Sequence, residues 1–591
     1  MKSQLILEAT DVRPEMRIRS FTRFFPWLVS LAAVAGLMLL IVGIHRNSPR
    51  TLISFHGYLH AAVVERFLTS NYSVPPENPF FAGEPLPYYW FFHFLAAQVS
   101  RLFGWNVFFG LEAVTLAGAG FLGIASLLLG QRLFRRATTG LLIAFLVVAG
   151  TNPFGILLAG LKILIHGADR LKDDPNFLWN VVHPVYNMVR YNDSGGLYGP
   201  MINFFLNATS RPLALGSLMM SLLCLQWVLA TPRILPLAAL ALTFAFTTAV
   251  SPIIGLATGG VLGSLLLMFA VVPFRLFNRP AVSNQRIRRS YLSALGAIGA
   301  GLILAAPSFL HLLTGASANQ PRFYLFSTDG FKHLITLALS VGVLLVLAGI
   351  GYLKSSEENR GFFRLLALGG LVLLSADAAI QLPASNQSNF FHAAVVLLAI
   401  PAAGSVIAAG RSFPSWKYPV HVAATAGIVL LFLPTTAAIL AAYVERPPVP
   451  VNFDLLLPRR LPPDSALARL YDWAEESSES DAVFVLDPNH RVATNGNALE
   501  FPAMTNRTLL TELPGHYMAP YPDAVRRHDI AVQLTSGQAI SRADKDYLTQ
   551  LKRPIYIVVD EAAGNRGTLA TMQQRYGAPV FRSGEIGVFR Q

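Results

Sequence analysis

Pro75-Pro76-Glu77-Asn78-Pro79-Phe80-Phe81-Ala82-Gly83-Glu84-Pro85-Leu86-Pro87-Tyr88-Tyr89-Trp90-Phe91-Phe92-His93 lies between the first two long apolar runs of the chain, inside a connection that extends from His45 to about Asn106. A chain that only needed to cross a bilayer repeatedly would join its crossings by short polar turns. A first connection of roughly sixty residues, rich in His, Glu, Pro and aromatics, therefore points to a site.

Working outward, 53% of residues are hydrophobic and 13% charged, with a mean hydropathy of +0.48. Apolar runs of about 20 residues recur with short polar segments between them, which describes a polytopic membrane protein. Runs of that length must satisfy their backbone groups internally, so they are α-helices rather than barrel strands. Crossings are expected near 25–44, 107–130, 140–160, 212–230, 235–250, 253–273, 291–313, 333–353, 365–383, 392–409 and 420–443, about eleven in all. Cys224 is the single cysteine and falls in an apolar run, which excludes a disulfide framework or a Cys-based metal site. The formal net charge of +13 would suit nucleic acid, but the basic residues cluster in alternate short connections. That distribution is a topology signal, and it places the N-terminus inside and the C-terminus outside. The first run is too long for a cleaved signal and lacks a cleavage site, so it reads as an anchor in a prokaryotic plasma membrane.

With this parity, Leu86 to Phe103 is not a crossing, because a crossing there would carry Arg132, Arg135 and Arg136 to the outer side. It reads as a helix along the outer surface, with Tyr88, Tyr89, Trp90 and His93 at headgroup depth. A re-entrant core helix with no ligand is the alternative.

Beyond Glu445-Arg446-Pro447-Pro448-Val449-Pro450 the composition turns to that of a soluble α/β domain. Ala466–Ser477, Arg542–Leu551 and Gly567–Tyr576 have helical spacing; Asp481–Leu486, Pro554–Val559 and Gly584–Arg590 read as strands. The division is then a cytoplasmic arm over 1–24, a transmembrane unit over 25–444 with outer loops 45–106 and 162–211, and an extracytoplasmic domain over 445–591. No nucleotide-binding glycine fingerprint, nucleophile elbow or zinc spacing occurs in that domain. Asp487-Pro488-Asn489-His490 and Gly515-His516-Tyr517 read as a turn and a loop, with substrate contact as the alternative.

A large loop after the first helix, a surface helix introduced by Pro-Leu-x-Tyr-Tyr-Trp, about eleven crossings and a C-terminal outer domain together resemble the GT-C superfamily of membrane glycosyltransferases. Within it, Pro76 to Trp90 is similar to the bacterial and archaeal membrane proteins named for a Tyr-Tyr-Tyr motif. The resemblance implies a polyprenyl-phosphate-linked sugar donor and transfer, usually with inversion, to a glycan, lipid or protein acceptor on the outer face. It also implies an Asp early in the first outer loop. This chain departs there: it reads Leu52-Ile53-Ser54-Phe55-His56-Gly57-Tyr58-Leu59-His60, and no carboxylate follows until Glu65.

Inverting transfer needs a base for the acceptor hydroxyl and donors or cations for the departing phosphate. The candidate catalytic carboxylates are Glu65, Glu77, Glu84 and Asp377. Asp377 interrupts an apolar run, where a carboxylate is costly and normally faces a protein partner. Glu112 in the second crossing is a weaker case of the same kind. His56 and His60 stand at i and i+4 ahead of Glu65, which could hold acceptor, phosphate or a divalent metal ion, or could simply face headgroups. Tyr88, Tyr89 and His93 are candidate substrate contacts; Arg190 in the second outer loop, Arg211, Arg322 and Lys332 are candidate partners of a lipid phosphate or of ordinary phospholipid. Asn386-Gln387-Ser388-Asn389 adds neutral groups suited to sugar hydroxyls. A transporter or flippase of a lipid-linked or polar substrate, and a non-catalytic scaffold of envelope assembly, remain as alternatives.

Overall fold

The computed structural model describes residues 14–47, 57–69, 72–155, 164, 199–207, 209–271, 282–314, 321–382, 386–412, 416–444, 465–489, 500–514, 518–561 and 567–591. Long helices dominate. In chain order they are α1 (Pro14–Asn47), α2 (Gly57–Leu68), α3 (Phe91–Phe103), α4 (Val107–Phe134), α5 (Ala137–Ala149), α6 (Ile202–Phe205), α7 (Arg211–Ala230), α8 (Ile234–Val250), α9 (Pro252–Val271) and α10 (Val282–Ala305). They continue with α11 (Leu310–Thr314), α12 (Thr328–Leu353), α13 (Glu357–Ala379), α14 (Ser388–Ser412) and α15 (Lys417–Val444). Among the described residues nine are long and apolar enough to cross a membrane, and the shorter apolar α5 and α8 take the third and fifth of the eleven expected places.

The third crossing is shorter than its hydropathy suggests. Thr151-Asn152-Pro153 follows Gly150, Asn152 adopts φ 53°, and the helix closes at Ala149, which limits α5 to about 20 Å.

Water cannot drive helix association inside a bilayer, so close approach at small residues does much of it. A Cβ on Gly216 would lie 2.2 Å from Gly118 O, and one on Gly118 would lie 2.4 Å from the α7 backbone at Leu213. These two glycines hold the first turn of α7 against α4. At the centre of the bundle α14 has 89% of its apolar window buried, against 22% for α1 at the periphery.

Since consecutive crossings alternate in direction, the ends of α1, α5, α8, α10 and α13 and the starts of α4, α7, α12 and α14 share one end of the bundle. The chain continues from α15 at that same end into the C-terminal domain. A two-stranded antiparallel ribbon, β1 (Arg322–Phe323) against β2 (Ile380–Gln381), also lies there.

The C-terminal domain is a five-stranded mixed sheet, made of β3 (Val483–Val485), β4 (Thr508–Leu509), β5 (Ile555–Asp560), β6 (Phe581–Ser583) and β7 (Ile586–Arg590) in the order β4-β3-β5-β7-β6. β4, β3 and β5 run parallel and β7 returns antiparallel to both β5 and β6. The helices are α16 (Ala466–Ser477), α17 (Phe501–Thr505), α18 (Ala524–Thr535), α19 (Arg542–Thr549) and α20 (Thr568–Tyr576). Near-continuous apolar strands such as Ile555–Val559 are what a sheet covered on both faces requires.

The opening motif joins this domain. Ala82 N donates to Leu509 O at 2.9 Å and Leu509 N to Pro79 O at 2.9 Å, so the loop continues the sheet beyond β4. Ala82 packs into the domain core beside Val483, Leu510 and Ile530, and Phe81 stacks on Tyr521 at 4.4 Å. Asn78 Nδ2 donates to Met518 O at 2.7 Å, and Arg527 on α18 donates to Ala82 O at 2.6 Å while its guanidinium covers the Phe81 ring at 4.1 Å. Arg527 is 3% exposed and also holds Asp523 at 3.0 Å. Hydrogen bonds to a buried charge are worth about 1.5–3 kcal/mol each before the orphaned partner is counted. Arg527→Ala should therefore lower the thermal unfolding midpoint of the purified protein by several degrees and speed proteolysis of the C-terminal domain. Unchanged midpoint and digestion rate would refute the joint.

Candidate active site

Four groups of polar side chains are buried at the domain-side end of the bundle. In the first, where α1 meets α4, His45 Nδ1 lies 2.9 Å from Glu112 Oε1 and Arg46 donates to Glu112 Oε2 at 3.3 Å. The other ring nitrogen of His45 lies 3.1 Å from Leu206 O, tying the short segment before α7 to the first crossing.

The second group is built by the tyrosine motif. Tyr88 and Tyr89 stack at 4.0 Å, Tyr88 donates to the Tyr89 hydroxyl at 2.6 Å, and that hydroxyl meets Ser210 Oγ at 3.0 Å. His311 Nε2 donates to Tyr88 O at 3.0 Å. Beside them His60 Nδ1 and His93 Nε2 share a hydrogen bond of 2.8 Å, both rings buried. Burial pushes His93 down to about 3, so its ring is neutral at physiological pH and the pair is linked by one N–H.

The third group is Asp377, fully buried at the end of α13, with His333 Nε2 at 3.0 Å from Oδ2 and the Tyr324 hydroxyl on its backbone carbonyl at 3.0 Å. The fourth surrounds Phe204: the Arg211 guanidinium lies 4.5 Å from the ring centroid, and the His392 ring meets the same ring edge-on at 4.5 Å.

The other residues singled out in the sequence have these surroundings. The aromatic head of the surface segment is partly covered by protein. The helix begins at Phe91, and Trp90 and His93 are buried against α2 and α4, while the exposed end carries Leu102, Phe103 and Trp105. Phe92, Ala96 and Ala97 form the face of this helix that packs on protein. On α2, His60 meets His93, while Glu65, five positions on, lies near Glu475 of the C-terminal domain. Among the described residues no three His, Cys, Asp or Glu side chains form a group that could hold a metal ion. His56 and Arg190 lie outside the described residues.

Three candidate carboxylates lie along the joint with the C-terminal domain. Glu77 is ion-paired with Arg553, lies 3.9 Å from Arg66 and accepts from Gly83 N at 2.8 Å. Glu84 is half-buried, its backbone bonded to Asn78 and Phe81. Glu65 faces the domain; burial first and the Glu475 charge second raise it to about 8, with Arg66 opposing. Of the remaining cations, Arg322 is exposed on the β1 ribbon and Lys332 is half-buried in the second turn of α12. His392, His333 and Thr209 were missed in the sequence. The histidines in apolar runs at 333 and 392 were a usable signal for the first two; Thr209 had none.

A model of a family described as an uncharacterized membrane protein family, DUF2298, matches residues 20–185. Among curated proteins no sequence relative matches the chain. The crystal structure of ArnT from Cupriavidus metallidurans bound to undecaprenyl phosphate superposes with a TM-score of 0.50 at 10% identity, covering 95% of this chain and 98% of that one. The two chains share a fold. The same protein in its apo state gives a TM-score of 0.49 at 11% identity over 94% of this chain and 98% of that one. An oligosaccharyltransferase from Archaeoglobus fulgidus, tethered to an acceptor peptide, gives 0.39 at 15% identity over 91% of this chain and 70% of that one.

The raised Glu65 makes the joint pH-sensitive. Its ordinary value is 4.5 and the folded value about 8, so the folded protein binds a proton that the unfolded chain releases. This contribution to stability is fully present below about 4.5 and is lost as pH rises through about 8. Glu65→Gln should match wild type in thermal midpoint at pH 5 and exceed it at pH 9; parallel profiles would show that the carboxyl does not feel this environment.

Proposed function

We propose that the protein is a membrane glycosyltransferase that takes a sugar from a polyprenyl-phosphate-linked donor and passes it to a glycan, lipid or protein acceptor at the extracytoplasmic face of the plasma membrane. Residues 25–444 would form the transmembrane catalytic unit and 445–591 a domain outside the cytoplasm. The fold supports the class. Arg135, Arg136, Arg233, Lys354 and Arg411, at the bundle end opposite the domain, support the orientation, because cytoplasmic connections carry the excess of Lys and Arg.

The observation that carries the reading is the buried pair Asp377–His333 at the same end as the Tyr88–Tyr89 and Arg211 groups. Glu65, Glu77 and Glu84 serve the joint with the domain, which leaves Asp377 as the carboxylate for chemistry. In this role Asp377 accepts the proton of the acceptor hydroxyl as its oxygen attacks the anomeric carbon. The bond from that carbon to the phosphate oxygen breaks on the opposite face, and the configuration inverts. His333 orients the carboxylate through Oδ2. The phosphate leaves with the polyprenyl chain, its charge taken up by cationic and N–H donors at the membrane surface.

The test uses the full-length protein in lipid nanodiscs with a panel of radiolabelled polyprenyl-phosphate sugars. Wild type should release label from the lipid, Asp377→Asn should be slower by 10²-fold or more, on the order of a lost general base, and Glu65→Gln should retain activity. Equal rates in Asp377→Asn and wild type would remove Asp377 from the chemistry. Label crossing the bilayer still attached to its lipid would replace transfer with transport.

A further inference from the structure

The start of α7 is built unlike an ordinary membrane-helix end. Its N-cap, Ser210, has helical backbone angles and makes no capping hydrogen bond to the first turn; its hydroxyl meets that of Tyr89 instead. Pro212 then occupies the first turn, where its missing N–H is tolerated. The first-turn N–H groups of a helix have no intrahelical acceptor and carry the positive end of the helix dipole.

Three polar side chains gather at this end without partners of their own. Thr209 Oγ1 is buried and has no hydrogen-bond partner among the described residues. His392 is 1% exposed, and neither ring nitrogen has a hydrogen-bond partner among them. Arg211 is half-buried, pairs with no carboxylate among the described residues, and covers the face of Phe204, whose ring also meets His392 edge to face. Glu112, an acid at this bundle end, is already engaged by His45 and Arg46. A hydroxyl, an imidazole, a guanidinium and a helix N-terminus that bring a surplus of N–H and O–H donors together, with no acid paired to them among the described residues, cost several kcal/mol in combination unless an anion completes them.

We propose that Thr209, Arg211 and His392, with the N-terminal turn of α7, form a binding site for the phosphate group of a polyprenyl lipid. Planar guanidinium and helix N–H groups suit tetrahedral phosphate oxygens. A lipid rather than a soluble phosphate fits the position, since α7 and α14 are both membrane crossings and His392 lies a turn inside α14. The occupant's identity rests on the transferase reading; the existence of the phosphate site does not.

The experiment measures saturable binding of tritiated undecaprenyl phosphate to the full-length protein in phosphatidylglycerol nanodiscs, which supply bulk anionic headgroups as background. Undecaprenol serves as the phosphate-free control and inorganic phosphate as competitor. Wild type should bind the phosphorylated lipid at least tenfold more tightly than undecaprenol. Arg211→Gln and His392→Phe should each weaken binding about tenfold, as expected for losing one hydrogen bond to a charged group. Arg211→Lys and His392→Gln, which keep a charge or a donor, should recover part of the loss and report on folding. Equal binding of undecaprenol, or variants that bind as wild type, would overturn the site. Inorganic phosphate binding with the same Arg211 and His392 dependence, while the lipid does not bind, would overturn the lipid occupant. Phosphate-dependent lipid binding in a protein that transfers no sugar would uphold the site and sink the transferase reading.

Discussion

Two backbone hydrogen bonds between Pro79–Ala82 and Leu509 set the geometry of everything else at this end of the molecule. They make a loop from the first connection into an outer strand-like segment of a sheet whose other strands come from the C-terminal domain. Arg527 then seals the junction by bonding both sides, Ala82 O and Leu510 O, from a position almost closed to solvent. Because the same loop runs on through Tyr88 and Tyr89 to Ser210 and His60, the domain and the membrane bundle are held in one register. Removing the loop would detach the domain and also unseat the tyrosines that pack over α2 and the start of α7.

Inside the bundle the decisive constraint is the absence of water to satisfy polar groups. In three of the four groups a buried ionisable side chain sits where helix ends bring a partner within reach: Glu112 with His45, Asp377 with His333, His60 with His93. The Gly118–Gly216 approach brings α4 and α7 close enough for the Glu112 and Tyr89–Ser210 groups to neighbour one another. Glycine at these two places is a requirement of distance, since any side chain would push the start of α7 away.

Much of the scaffold could be read from the chain alone because its signals are local. A crossing is a run of apolar residues, and every expected one has a counterpart. Ala466–Ser477, and the strands around Val483 and Ile555, announced themselves through periodicity and β-branched content. The candidate site was legible only in part. Asp377 stood out as a charge in an apolar run, and Arg211 as a cation at a helix start. Its partner His333, and the set formed by Thr209 and His392, depend on which helices are neighbours, and hydropathy carries no such information. The protein cover over Trp90 and His93 was hidden for the same reason: an amphipathic helix shows that one face is apolar, not whether lipid or protein covers it.

The joint also imposes an order on biogenesis. Asn78 and its partner Met518 are 440 residues apart, so the motif emerges from the ribosome long before the strand it must complete. Throughout that interval the nascent chain presents Pro79–Ala82 with unpaired backbone groups and Phe80 and Phe81 without their cover. The cell must protect this open socket while ten further membrane helices are inserted. The prolines at 75, 76, 79, 85 and 87 suit that wait, since a segment punctuated by residues without an N–H is a poor template for pairing with a stranger's strand.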